Sequence, residues 1–112
     1  MEIERVARHI RREFLTARQA LKDGNEGMAR VCARRAAGAA ITYWLQQQQR
    51  TGWGVDAMSQ LRNLQQDPSI PKDVQNAAAR LIAKITENSP FSTDPLNDST
   101  LIIRHLMNIE PG

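Results

Sequence analysis

NEGMARVCARRAAGAAITYWLQQQQ, residues Asn25 to Gln49, decides the fold. Between Ala29 and Ala40 so many side chains are Ala or Gly that neighbouring backbones can come unusually close. On a helix advancing ~100° per residue, Met28, Ala29, Cys32, Ala33, Ala36, Ala37, Ala39, Ala40, Tyr43 and Trp44 fill an arc of roughly 180°, wider than a surface helix needs. Ile41 and Leu45 widen the apolar surface further, so Tyr43 and Trp44 are expected to be enclosed on nearly every side. The segment reads as the central helix of a small bundle.

Upstream, Ile3, Val6, Ala7, Ile10, Phe14, Ala17 and Leu21 recur at steps of three and four, the pattern of an amphipathic helix from Ile3 to about Lys22. Arg5, Arg8 and Arg12 fall opposite that stripe and read as a solvated outer face, while Arg11 and Arg18 lie on its flank. Asp23 and Gly24 supply turn chemistry, Asn25 an N-cap and Glu26 an acidic first turn. So short a link makes the first two helices an antiparallel hairpin.

Downstream, Arg50 to Gly54 breaks the central helix, and Trp53 between two glycines either plugs a gap or awaits a partner. Met58, Leu61 and Leu64 suggest a short third helix within Val55 to Gln66, starting near Asp56. Pro68 and Pro71 force a loop, and Pro71 suits the first position of a fourth helix. Val74, Ala77, Ala78, Leu81, Ile82 and Ile85 give that helix one face through about Glu87. Asn88 to Pro95 then forms a long loop with Phe91 as its anchor. Asn97 or Asp98 is expected to cap a last helix whose Leu101, Ile102, Leu106 and Ile109 face the core, with His105 in the same apolar sector. Ile103 and Met107 lie beyond that sector, and because their exposure on a monomer would be awkward, a second subunit or tight side packing is implied. The expectation is one all-α domain, residues 1–112: an up-down bundle of four to five helices with a long N-terminal helical hairpin.

Composition narrows the setting. A chain of 112 residues can fold around one core without staples. The single Cys32 makes no internal disulfide and falls on the apolar arc, as an inert thiol in a reducing compartment does. No apolar run approaches the ~18 residues of a membrane span, and the charged N-terminus lacks the apolar core of a secretory signal. These features predict a cytoplasmic protein with no membrane partner. The net charge of +3 is uneven: residues 1–50 hold ten Lys/Arg against five Asp/Glu, and residues 51–112 hold five against seven. An anion-facing first half is thereby suggested, without the dense basic footprint of a dedicated nucleic-acid binder.

Chemistry is sparsely signposted. His9, His105 and Cys32 are the only nitrogen or sulfur ligands, with no HExxH or CxxC, so no metal site is expected. GxxxxGK[ST] and GxGxxG are missing, and no cofactor is indicated. Arg30 and Arg34 stand one turn apart on one edge of the central helix and Arg35 on the opposite margin. A two-arginine edge can hold a phosphate or carboxylate, which makes Arg30, Arg34, Arg35 and Trp53 the candidate anion- or partner-binding residues.

The run from Ala7 to Gln46, with Leu21, Gly24, Ala29, Ala33, Ala36, Ala37, Ala40 and Leu45 in place, resembles the HEPN superfamily of small helical domains. The later order, a short helix with Leu61 and Leu64, a Pro-started helix from Pro71 and a final helix, is similar too. That resemblance implies either a metal-independent ribonuclease using Arg-x(4-6)-His on the last long helix, or a binding partner often encoded beside a minimal nucleotidyltransferase. Here His105 follows Arg104 directly, and His9 has Arg5 ahead of it with only three residues between. The non-catalytic branch is left: a binding or regulatory module, as a homodimer, engaging a nucleotidyltransferase-type protein partner or an RNA- or nucleotide-like anion. The alternatives are an unconventional ribonuclease with Arg30, Arg34 and His105 converging across a dimer cleft, and a structural subunit of a larger assembly.

Overall fold

The computed structural model describes residues 2–84 and 93–112, and within them five helices: α1 (Glu2–Lys22), α2 (Glu26–Gln47), α3 (Ala57–Gln66), α4 (Lys72–Ile82) and α5 (Pro95–Met107). No strand occurs among these residues. The all-α bundle with its long N-terminal hairpin is the architecture the sequence predicts.

Short-range chemistry sets the hairpin. At the end of α1, Gly24 takes φ +76° while the Asn25 amide donates to the Ala20 carbonyl at 2.7 Å and the Gly24 amide to Leu21 at 3.1 Å. Those bonds satisfy carbonyls that a helix end otherwise leaves unpaired. Asn25 then accepts the Met28 amide at 3.0 Å and starts α2.

Helix α2 is the hub, packing on α1, α3 and α5 and more lightly on α4. Its small residues do the work expected of them: Ala29, Ala33, Ala36, Ala37 and Ala40 have no exposed surface. A Cβ at Gly38 would sit 3.1 Å from Ala57 Cβ and from Gln60 Oε1, so a larger residue there would require α3 to give by a few tenths of an ångström. On one side of α2, Ile41, Leu61, Leu64, Val74, Leu81 and Ile102 form the larger apolar cluster; on the other, Ile10 and Phe14 meet Ile103 and Met107. Buried Ser99 and Gln60 are paired across helices. Ser99 Oγ donates to the Ala33 carbonyl at 2.8 Å, and Gln60 Nε2 donates to Thr42 Oγ1 at 2.8 Å.

Several expectations need correction. Ile103 and Met107 take the tight side packing of the two alternatives, buried against α1, which removes the exposure from which a second subunit was argued. Asp94, not Asn97 or Asp98, caps α5, because Pro95 fits the first helical position and Asp94 accepts the Asn97 amide. Asp98 is instead buried and paired with Arg80. The core-facing sector is centred on Ser99, Ile102 and Ile103, so His105 is exposed where burial was expected. Leu21 is likewise exposed while Ala20, three residues after buried Ala17, takes the covered position. Tyr43 and Trp44 are half-buried, not enclosed. Pro71 occupies the N-cap of α4, and the helix ends at Ile82 with Ala83 extended. The expected continuation to Glu87 and the Phe91 anchor lie outside the described residues.

Candidate anion-binding groove

Antiparallel pairing sets the first turns of α1 beside the last turns of α2. Between them lies a groove of about 540 Å³. Arg5, Arg8 and Arg12, at three- and four-residue spacing, line one wall with His9; Tyr43, Thr42 and Gln46 form the other, over Val6 and Ala39. Residues so spaced share one helix face. The arginines are exposed, as a solvated outer face requires, and they also border this groove. A helical wheel places Cβ atoms, whereas a guanidinium sits several bonds further out and bends back over the edge.

The groove's electrostatics are lopsided. Its lining holds a single carboxylate, Glu2, which is ion-paired with Arg5. Among the described residues, Arg8 and Arg12 have no ion-pair partner.

A second hollow, of about 500 Å³, begins where the first ends, because Thr42 and Gln46 border both. Gly52 and Gly54, at φ +91° and +83°, turn the intervening Trp53 inward to form its wall. Trp53 meets Trp44 with ring centres 5.6 Å apart, and the Arg50 guanidinium lies 5.3 Å and 5.0 Å from the two rings. Arg50 also pairs with the buried Asp67 at 2.9 Å. Burial pushes the Asp67 carboxyl up, but the Ser69 hydroxyl and amide together with Arg50 outweigh it and hold it below the usual range. No carboxylate lines this second hollow.

The residues singled out from sequence do not form one site. Arg30 is only 8% exposed. Arg34 Nε donates to the Leu81 carbonyl at 2.7 Å, and its guanidinium is made less basic by burial and by the like charge of Arg30. Arg30 and Arg34 are thus neighbours, as their one-turn spacing requires. Arg35 is exposed on the other margin, and Trp53 is part of the core at 8% exposure, the plug of the two roles considered for it. His105 is exposed, and neighbouring Arg104 is forked onto Glu110 by two bonds of 2.7 Å. Cys32 is fully covered; burial and then Glu13 push its thiol up, and Arg35 opposes them more weakly.

What sequence reasoning missed was the Arg5, Arg8, His9 and Arg12 row. Its spacing was visible, but nothing in the sequence shows which flank of α1 the end of α2 will border. Among the described residues there is no group of three potential metal ligands, and no helix is long and apolar enough to cross a membrane. No protein family, curated protein or solved structure matches the chain.

Proposed function

We propose that this chain is a non-catalytic, HEPN-like binding module that holds a phosphate-bearing ligand in the α1–α2 groove. The row Arg5, Arg8 and Arg12, facing Tyr43 and Gln46 with one carboxylate in the whole lining, carries the reading. Guanidinium groups grip phosphate oxygens with two parallel bonds, and the weak hydration of arginine keeps the desolvation cost low. The HEPN resemblance points to the same branch, because Arg104 and His105 lack that family's ribonuclease spacing and Arg104 is committed to Glu110. A nucleotidyltransferase-type protein or a second copy of the chain is the alternative partner. Phosphate is preferred because three of the ten residues lining the groove are arginines and only one is acidic.

His9 stands among the arginines, and that observation supports a second reading, metal-independent cleavage of bound RNA. Calorimetry with ATP and with inorganic polyphosphate tests the first reading. Binding at low salt is expected, with loss in the Arg8→Ala/Arg12→Ala double variant at unchanged melting temperature; no binding of either probe defeats the proposal. Cleavage of single-stranded RNA in excess chelator, abolished by His9→Ala, would replace it with the second.

A further inference from the structure

The groove and the second hollow meet at Thr42 and Gln46, and only one of the residues bordering either is acidic. Each is as large as a whole small-molecule site, so a single phosphate or nucleotide would leave much of the pair unfilled. Along α1, Arg5 and Arg12 are separated by about 10 Å of helix, with Arg8 between. Cations strung out in this way match a chain of phosphates better than one compact phosphate cluster. Opposite them, half-buried Tyr43 is held in the α1–α2–α5 core and offers a ring to the groove.

Resting on the phosphate reading above, we infer that the two hollows form one track for a single-stranded nucleic acid. Successive phosphates follow Arg5, Arg8 and Arg12, one base packs on Tyr43, and the strand crosses Thr42 and Gln46 into the hollow walled by Trp53. Aromatic rings beside a cationic row form the general design for unpaired strands, whose bases are free to stack. A duplex hides those faces, and its broad backbone suits a groove between two helices poorly. The surface lies on the first helix, not on α5, where the HEPN ribonuclease motif would fall. An acidic peptide is the competing occupant; it would use the arginines but gain little from Tyr43 or from the length of the track.

The test compares binding of four labelled probes to the full chain by fluorescence anisotropy: a uridine dodecamer, an abasic dodecamer with the same phosphates, a uridine trimer and a poly-glutamate peptide. The uridine dodecamer is expected to bind tightest. Tyr43→Leu should weaken it about tenfold while leaving the abasic strand unchanged. Arg8→Ala/Arg12→Ala should weaken both strands and flatten the dodecamer's log–log salt dependence by about 1.4. Gln46→Glu, a carboxylate on the saddle between the hollows, should weaken the dodecamer more than the trimer.

Equal binding of the uridine and abasic strands to the unmodified protein overturns the inference even if Tyr43→Leu fails to fold. So does equal weakening of dodecamer and trimer by Gln46→Glu, or preference for poly-glutamate. In the first two outcomes polyphosphate still binds and the groove reading survives; if polyphosphate and all strands fail at low salt, both fall together.

Discussion

Arg34 and Arg80 belong to the same residue type as Arg8 and Arg12, yet the fold treats the two pairs oppositely. Arg34 reaches a main-chain carbonyl of α4, and Arg80 forks onto buried Asp98 with contacts of 2.7 and 3.2 Å, so each joins two helices. Among the described residues Arg8 and Arg12 have no ion-pair partner, and they border a groove. The difference lies in what the neighbouring helix offers: a carbonyl or a carboxylate within reach turns an arginine into a strut. An opposite wall of Ala39, Thr42, Tyr43 and Gln46, with no carboxylate, leaves it available to a ligand. Charge on a surface is therefore informative only after the charges that the fold uses have been set aside.

Replacing the struts should produce the largest effects. Arg80→Met leaves the 4%-exposed Asp98 without its main charge partner. The expected loss is about 2 kcal/mol, below the cost of breaking a fully buried pair because Arg80 itself is partly in water. Arg34→Met loses one bond to Leu81 but relieves repulsion from Arg30, so about 1 kcal/mol is expected. Arg8→Ala and Arg12→Ala should each stay within ~0.5 kcal/mol of the parent. Urea denaturation of the four variants ranks them, and equal costs across both pairs would break the distinction between strut and ligand-facing arginine.

Arg50 stands between the two classes, since it lines the second hollow and also pairs with Asp67. The Asp67 carboxyl is held below its ordinary value in the folded chain. A carboxyl lowered by folding stabilises fully above its unfolded value of ~3.9 and loses that contribution as pH falls through the folded value. Urea midpoints should therefore fall as the solution is taken from about pH 5 to below pH 4. Asp67→Asn should be less stable at neutral pH and show a shallower acid decline. An unchanged acid profile in that variant would mean that Arg50 is held by the two tryptophans alone, and would move it into the ligand-facing class.

Much of the fold was legible because its signals are local. Gly24 and Asn25 mark one turn, Asp56 and the two prolines bracket α3, and the alanines of α2 announce close approach. The start of α5 was misread because Asp94-Pro95 and Asn97-Asp98 both offer starting chemistry. The choice of cap does not rotate the helix; only tertiary contact shows which face turns inward, placing Ile103 and Met107 against α1 and Asp98 on Arg80. The groove was less visible for the same reason. Its arginines share a helix face in the sequence, but Tyr43 comes to them from 31 residues beyond Arg12, the last of them, through a hairpin geometry that spacing does not specify.

The smallest expected effect concerns how Arg50 is delivered. Helix α2 ends as α1 does: the Arg50 amide donates to the Leu45 carbonyl at 2.9 Å and the Gln49 amide to Gln46 at 3.2 Å, matching the bonds of Asn25 and Gly24. At α1 the left-handed position is glycine; at α2 it is Gln49, with φ +53°. Its side chain is exposed, so the β-carbon costs strain with no contact to offset it. Gln49→Gly should raise stability by about 0.5 kcal/mol, the relief of strain exceeding the added freedom of the unfolded chain. If the variant is less stable and the fluorescence of Trp44 and Trp53 shifts, the glutamine is steering Arg50 onto the rings. The end of α2 would then belong with the struts.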